Sequence, residues 1–102
     1  MDKNDAIKLS KTYVEKVKQN RIDVLDAWLF GSYAKGNYTD DSDIDLALVL
    51  PENTLSLDTD VKLMALRKDN EIMIETHTYS QHDFSTNLPI IEQIKQYGFR
   101  LF

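Results

Sequence analysis

Cysteine is absent from the 102 residues, so disulfides, thiolate catalysis and Cys-based zinc sites are excluded. Positive charge is in deficit. Twelve Lys and Arg stand against seventeen Asp and Glu, a formal net charge of −5. A chain that grips a nucleic-acid backbone needs a basic face, and here the lysines are scattered through the N-terminal segment among acids. Stable DNA or RNA binding by this chain alone is therefore not expected, whereas a small nucleotide carrying its own Mg²⁺ is compatible with the charge. Long apolar runs are also missing. No segment approaches the roughly 20 apolar residues that cross a bilayer. The start, Met1-Asp2-Lys3-Asn4-Asp5, is polar with no apolar run behind it, so no secretory signal is expected. A cytoplasmic protein without a membrane span is the reading. Repeats and low-complexity stretches are absent too.

What is present fits one domain over residues 1–102, near the commonest domain size. Hydrophobic residues make up 42% of the chain, enough for a single core. A chain this short buries a small fraction of its surface, so a deep active site is expected to be shared with another chain.

Apolar positions Ile7, Tyr13, Val14 and Val17 predict an amphipathic helix over residues 4–19, capped by Asn4 or Asp5. Residues 24–30 read as a mostly apolar strand holding Trp28 and Leu29 in the core. Gly31 breaks it, and Ser32 is placed to cap a short helical turn over Tyr33-Ala34-Lys35. A second strand over 43–50 sets Ile44, Leu46, Leu48 and Leu50 on one face and Asp43, Asp45, Ala47 and Val49 on the other. Pro51 closes it. A helix through Leu63, Met64 and Leu66 follows, with Asp58 or Asp60 as its cap. A third strand over 71–78 places Ile72 and Ile74 on an apolar side and Glu71, Met73, Glu75 and His77 on the other. Ser80-Gln81-His82-Asp83 matches a capping box with Asp in place of Glu. A last helix over 88–97 stops at Gly98 in the C′ position, and residues 99–102 form a short terminal strand. The order predicts an α/β (α+β) fold, a small mixed β-sheet with helices packed on one face.

The two strands leave acids on a face that the helices do not need. Like charges set beside each other repel, and a bound cation removes that cost. Asp43 and Asp45, spaced i, i+2, point the same way in an extended strand. Ten residues earlier, Phe30-Gly31-Ser32-Tyr33-Ala34-Lys35-Gly36 forms a turn rich in backbone N–H groups. Such a pair of elements suits a metal-bound triphosphate, with the acids on the metal and the turn on the phosphates. Phosphoryl and nucleotidyl transfer depend on positioning and electrostatics, and two metal ions about 3.5–4 Å apart serve both attacking and leaving oxygens. Such ions need a third carboxylate. Glu75 and Glu71 are the candidates, with Glu75 preferred because it is central in its strand. Glu71 reads as a solvated strand end. Gly31 admits phosphate oxygens to the backbone, Ser32 adds a hydroxyl, and Lys35 lies near enough in sequence to neutralise charge. His77 reads as a surface residue of the open face, with a substrate or metal role as the alternative. Tyr33 and Tyr38 border the turn, placed either to stack on a base or to pack the loop.

Phe30-Gly31-Ser32 followed by Asp43-Ile44-Asp45-Leu46, with Ala34, Gly36 and Ser42 in the expected places, resembles the nucleotidyltransferase superfamily that includes DNA polymerase beta. The closest match is its minimal branch, small nucleotidyltransferase domains described as antitoxins, and the resemblance covers nearly the whole chain. It implies the nucleotidyltransferase fold and two Mg²⁺ ions. Asp43, Asp45 and Glu75 serve as catalytic metal ligands, and Gly31, Ser32, Lys35 and Ser42 lie at the nucleotide. It further implies transfer of a nucleoside monophosphate, AMP from ATP, to a hydroxyl on a partner, a helical HEPN ribonuclease toxin. The alternative is a non-catalytic antitoxin that retains the fold and masks its partner by binding.

Overall fold

Two aspartates three positions apart set where the first helix begins. The structure, a computed structural model, describes residues 1–102, and α1 runs over Lys3–Gln19. Its N-cap is Asp2 rather than Asn4 or Asp5. The Asp5 amide donates to Asp2 Oδ1 at 2.8 Å, and the Asp2 amide donates to Asp5 Oδ2 at 3.3 Å. This reciprocal box satisfies donors that a helix start otherwise leaves free, so the cap falls at the first aspartate of the pair. Ala6, Ser10, Tyr13, Val14 and Val17 form the buried stripe.

Four strands make one sheet of order β3-β2-β1-β4. They are β1 Asp26–Phe30, β2 Ile44–Leu50, β3 Ile74–Ser80 and β4 Phe99–Arg100. β1 pairs antiparallel with β2 and β4, whereas β2 and β3 run parallel, so the sheet is mixed as expected. A parallel pair needs a crossover, which contains α3, Leu57–Ala65. Its N-cap is Ser56, whose hydroxyl accepts from the Thr59 amide at 3.1 Å. Asp58 and Asp60 lie instead inside the first turn, where a carboxylate meets the positive end of the helix dipole.

Ile44, Leu46, Leu48 and Leu50 are all buried and pack with Ala27, Leu29 and the α1 stripe. Burial of each such side chain is worth about 1.5–3 kcal/mol, which makes β2 the anchor of the fold. The opposite face is apolar as well beyond Asp45. There Ala47 and Val49 are covered by Phe84 of α4 (Gln81–Phe84) and by Ile91 and Ile94 of α5 (Pro89–Tyr97). Helices thus lie on both faces of the mixed sheet, not one. The second layer leaves partly exposed Asp45 outside its apolar cluster. No helix is long and apolar enough to cross a membrane.

The third strand begins at Ile74 because Asp69–Met73 coil into a 3₁₀ turn. Glu71, expected as a solvated strand end, is buried in that turn. Its carboxylate pairs with the Lys16 ammonium and accepts from the Lys68 amide at 2.9 Å. Ile72, expected on the apolar side, is instead exposed. Gly98 caps α5 with φ −76°, an angle open to any residue. Space explains the glycine, since a β-carbon there would collide with the Ile94 carbonyl oxygen and stand 3.1 Å from that of Leu29.

Candidate active site

Strand register decides which side chains meet. Phe30 of β1 and Glu75 of β3 both stand opposite Asp45 of β2, and His77 stands opposite Ala47. Paired residues share a face of a sheet, so Phe30, Asp45, Glu75 and His77 project to one face, where Phe30 packs at the edge of the α4–α5 cluster and the other three keep some exposure. The result is a compact donor set. One ligand atom each from Asp45, Glu75 and His77 lies within 4.8 Å of the others. The His77 Nε2–H donates to Asp45 Oδ1 at 3.2 Å, and Nε2 is 3.9 Å from Glu75 Oε1. The His77 ring also meets the Phe30 ring edge-on, at 5.0 Å between centroids.

Asp45 and His77 are partly exposed and Glu75 more fully so. The hydrogen bond that His77 donates to Asp45 raises the His77 pKa above its ordinary value. Burial opposes that rise, and the nearby charges of Asp45 and Glu75 add to it. Two carboxylates and an imidazole at these separations are a suitable donor set for a divalent cation.

The other oxygen of Asp45 faces the glycine turn. Gly31 has φ 74° and ψ −151°, a combination essentially restricted to glycine, and a β-carbon there would collide with Asp45 Oδ2. The turn is built as expected in outline. Gly31 occupies the N-cap, however, and Ser32 is the first residue of α2, Ser32–Lys35. The chain can enter the helix through a backbone angle that serine does not adopt easily, which is why the cap is the glycine. Gly36 in the left-handed region closes α2, and the Gly36 and Asn37 amides both donate to the Ser32 carbonyl, at 2.9 and 3.2 Å.

The remaining candidates sit further out. Asp43 precedes β2, is exposed and does not join the compact donor set. Lys35 is exposed with its ammonium 5.4 Å from the Tyr97 ring centroid, directed to α5. The Ser42 hydroxyl accepts from the Thr39 amide at 2.8 Å and so closes its own loop. Glu71 is tied to Lys16 and takes no part in the site. Tyr33 and Tyr38 stack on each other at 4.5 Å and 11°, with Tyr33 fully buried, so the pair packs the loop. His77, expected as a surface residue of the open face, is partly exposed there, two places after Glu75 on the same face and against Asp45.

A groove of about 470 Å³ adjoins the donor set, between α3 and β3. Glu75, His77, Asp60, Met64 and Arg67 are among its lining. Its size is ordinary for a small-molecule site.

The sequence profile of the family described as "Polymerase beta, Nucleotidyltransferase" matches residues 12–102. No curated protein matches the chain. Two solved structures share the fold. A candidate nucleotidyltransferase of Sulfolobus solfataricus is 19% identical, with a TM-score of 0.65 over 96% of this chain and 80% of its own. The toxin–antitoxin MntA-HpeT, solved as a mutant with two aspartates changed to glutamate, is 21% identical. Its TM-score is 0.60 over 100% of this chain and 73% of its own.

Proposed function

The chain belongs to the polymerase beta nucleotidyltransferase family, and we propose that it transfers a nucleoside monophosphate, AMP from ATP, to a hydroxyl on a partner protein. The observation that carries this reading is the meeting of Asp45, Glu75 and the Gly31 turn on one uncovered half of the sheet. The donor chemistry fits Mg²⁺, with Asp45 and Glu75 on the protein side and Asp43 at the margin to complete the set. When bound, Mg²⁺ neutralises charge on the triphosphate and on the oxygens that exchange at phosphorus.

The chain's own residues do the rest. The turn at Gly31 and Ser32 brings backbone N–H groups and a hydroxyl to the phosphates, and the glycine keeps that approach free of a side chain. Lys35 and Ser42 flank the nucleotide, and Lys35 must leave Tyr97 to reach it. Asp45 is fixed on the most buried strand, so its carboxylate reaches the reacting group with little reorganisation. Glu75, more exposed, is placed either to hold metal or to accept the proton of the incoming hydroxyl.

The acceptor is proposed to be a HEPN-type ribonuclease toxin, which makes this chain its antitoxin. One feature supports that assignment: the toxin–antitoxin MntA-HpeT shares the fold. In that complex the two substituted aspartates lie two positions apart, the spacing of Asp43 and Asp45 here.

Intact-mass spectrometry of the partner after incubation with this chain, Mg²⁺ and each NTP is the test. The expected result is a gain of one or more nucleoside monophosphates that Asp43→Asn and Asp45→Asn both abolish. A stable complex with unchanged partner mass would overturn transfer in favour of an antitoxin that acts by binding alone.

A further inference from the structure

His77 stands closer to both acids than a bystander on an open face needs to. Its Nε2 is the atom directed at them, 3.2 Å from Asp45 Oδ1 and 3.9 Å from Glu75 Oε1. Neighbouring ligands of a six-coordinate ion bound at about 2.1 Å are roughly 3 Å apart, and opposite ligands roughly 4 Å. Both separations fall in that span, so Nε2 is spaced from each acid as one ligand of an ion is from another, and the three atoms all lie within 4.8 Å of one another. The ring is held in place from two sides. Its backbone lies in β3, paired with β2, and Phe30 packs against it edge-on at 5.0 Å. Glu75 approaches the same nitrogen that Asp45 binds, so a cation that displaces the Nε2 proton meets both carboxylates at once.

We propose that His77 is itself a metal ligand, which makes this a mixed nitrogen–oxygen site. The inference rests on the nucleotidyltransferase reading of Asp45 and Glu75 and adds to it the choice of ion. Mg²⁺ takes oxygen ligands almost exclusively, whereas Mn²⁺ and Co²⁺ accept imidazole. The site therefore binds Mn²⁺ or Co²⁺ more tightly than Mg²⁺, and His77 sets that preference.

The chain contains only two histidines, so the ligand can be identified directly. Mn²⁺ is added to the purified full chain, unlabelled and with ¹⁵N-histidine, and pulsed electron paramagnetic resonance reads nitrogen coupling to the ion. The expected coupling changes from ¹⁴N to ¹⁵N with the label, persists in His82→Gln and vanishes in His77→Gln. Mn²⁺ affinity falls at least about tenfold in His77→Gln, with a smaller fall for Mg²⁺. Trp28 fluorescence checks that the variants are folded. Mn²⁺ bound in an Asp45-dependent manner without nitrogen coupling would overturn the role of His77 and leave the metal reading of the acids standing. Mn²⁺ binding that Asp45→Asn does not weaken would overturn both.

Discussion

The Asp45 carboxylate fills the space that a β-carbon on Gly31 would need. The phosphate turn and the acidic strand are therefore fitted to each other before any ligand arrives. One oxygen of Asp45 lies against the turn, and the other accepts from His77 at 3.2 Å.

Gly31→Ala tests that fit. The backbone angles at 31 cost a non-glycine residue about 1–3 kcal/mol, and the new methyl group must displace Asp45. Chemical denaturation is expected to show a loss of that size, and isothermal titration a matching loss of Mn²⁺ affinity. An alanine variant with unchanged stability and metal binding would mean that the turn moves freely relative to the strand.

Glu71→Ala separates scaffold from site. It leaves the Lys16 ammonium and the Lys68 amide without their acceptor, a change expected to cost about 1–3 kcal/mol. Each kcal/mol lowers the melting midpoint by roughly 4–8 °C in a chain of this size. Mn²⁺ affinity at fixed temperature should not change. A weakened metal site would bring Glu71 back as a ligand.

Ser10→Ala is expected to stabilise. The Ser10 hydroxyl is wholly buried in the α1 stripe and has no hydrogen-bond partner, and an unmet buried group costs about 1–3 kcal/mol. Alanine removes the group and is the better helix former. A denaturation midpoint that rises in the variant confirms it; a fall would show that the hydroxyl is satisfied in solution.

Tyr13 gives an alkaline signature. Its hydroxyl donates to the Leu63 carbonyl at 2.5 Å. Burial lifts its ionisation well above the ordinary 10.0; Arg67 opposes this and Glu71 adds to it. The unfolded chain loses the Tyr13 proton first as pH rises. The folded-state pKa is the higher, so this contribution to stability is full below 10.0 and is lost as pH climbs from there toward the folded value. Urea unfolding between pH 8 and 11.5 should show a steeper decline for the wild type than for Tyr13→Phe. Parallel declines would show that Tyr13 ionises freely in the fold.

Much of this arrangement was legible in the chain. The alternation in residues 43–50 and around Glu75 put Asp45 and Glu75 on one face, and Gly31-Ser32 marked the break after β1. The misreadings of burial share a physical cause, contacts between residues far apart in sequence. Glu71 is paired with Lys16, 55 positions away, and no local pattern shows a carboxylate being buried by a helix that remote. Ala47 and Val49 follow Asp45 on the same face, and their burial required knowing that Ile91 and Ile94 return to cover them. His77 gained its place from register, which sets β3 beside β2 with no slip. Caps missed by one to four residues reflect side chains that compete locally for the same amides.

β2 is flanked by a strand on each side and buried on both faces, while β3 is a sheet edge. Amide protons of the central strand should exchange only when the whole molecule opens, and those of the edge strand should exchange during smaller excursions. The donor set straddles that divide. Asp45 rides on the slowest-breathing segment, and Glu75 and His77 ride on one that can peel away. Thermal fluctuation therefore dismantles the site from one side only, and a bound ion bridging the two strands would register as slowed exchange along β3 rather than β2.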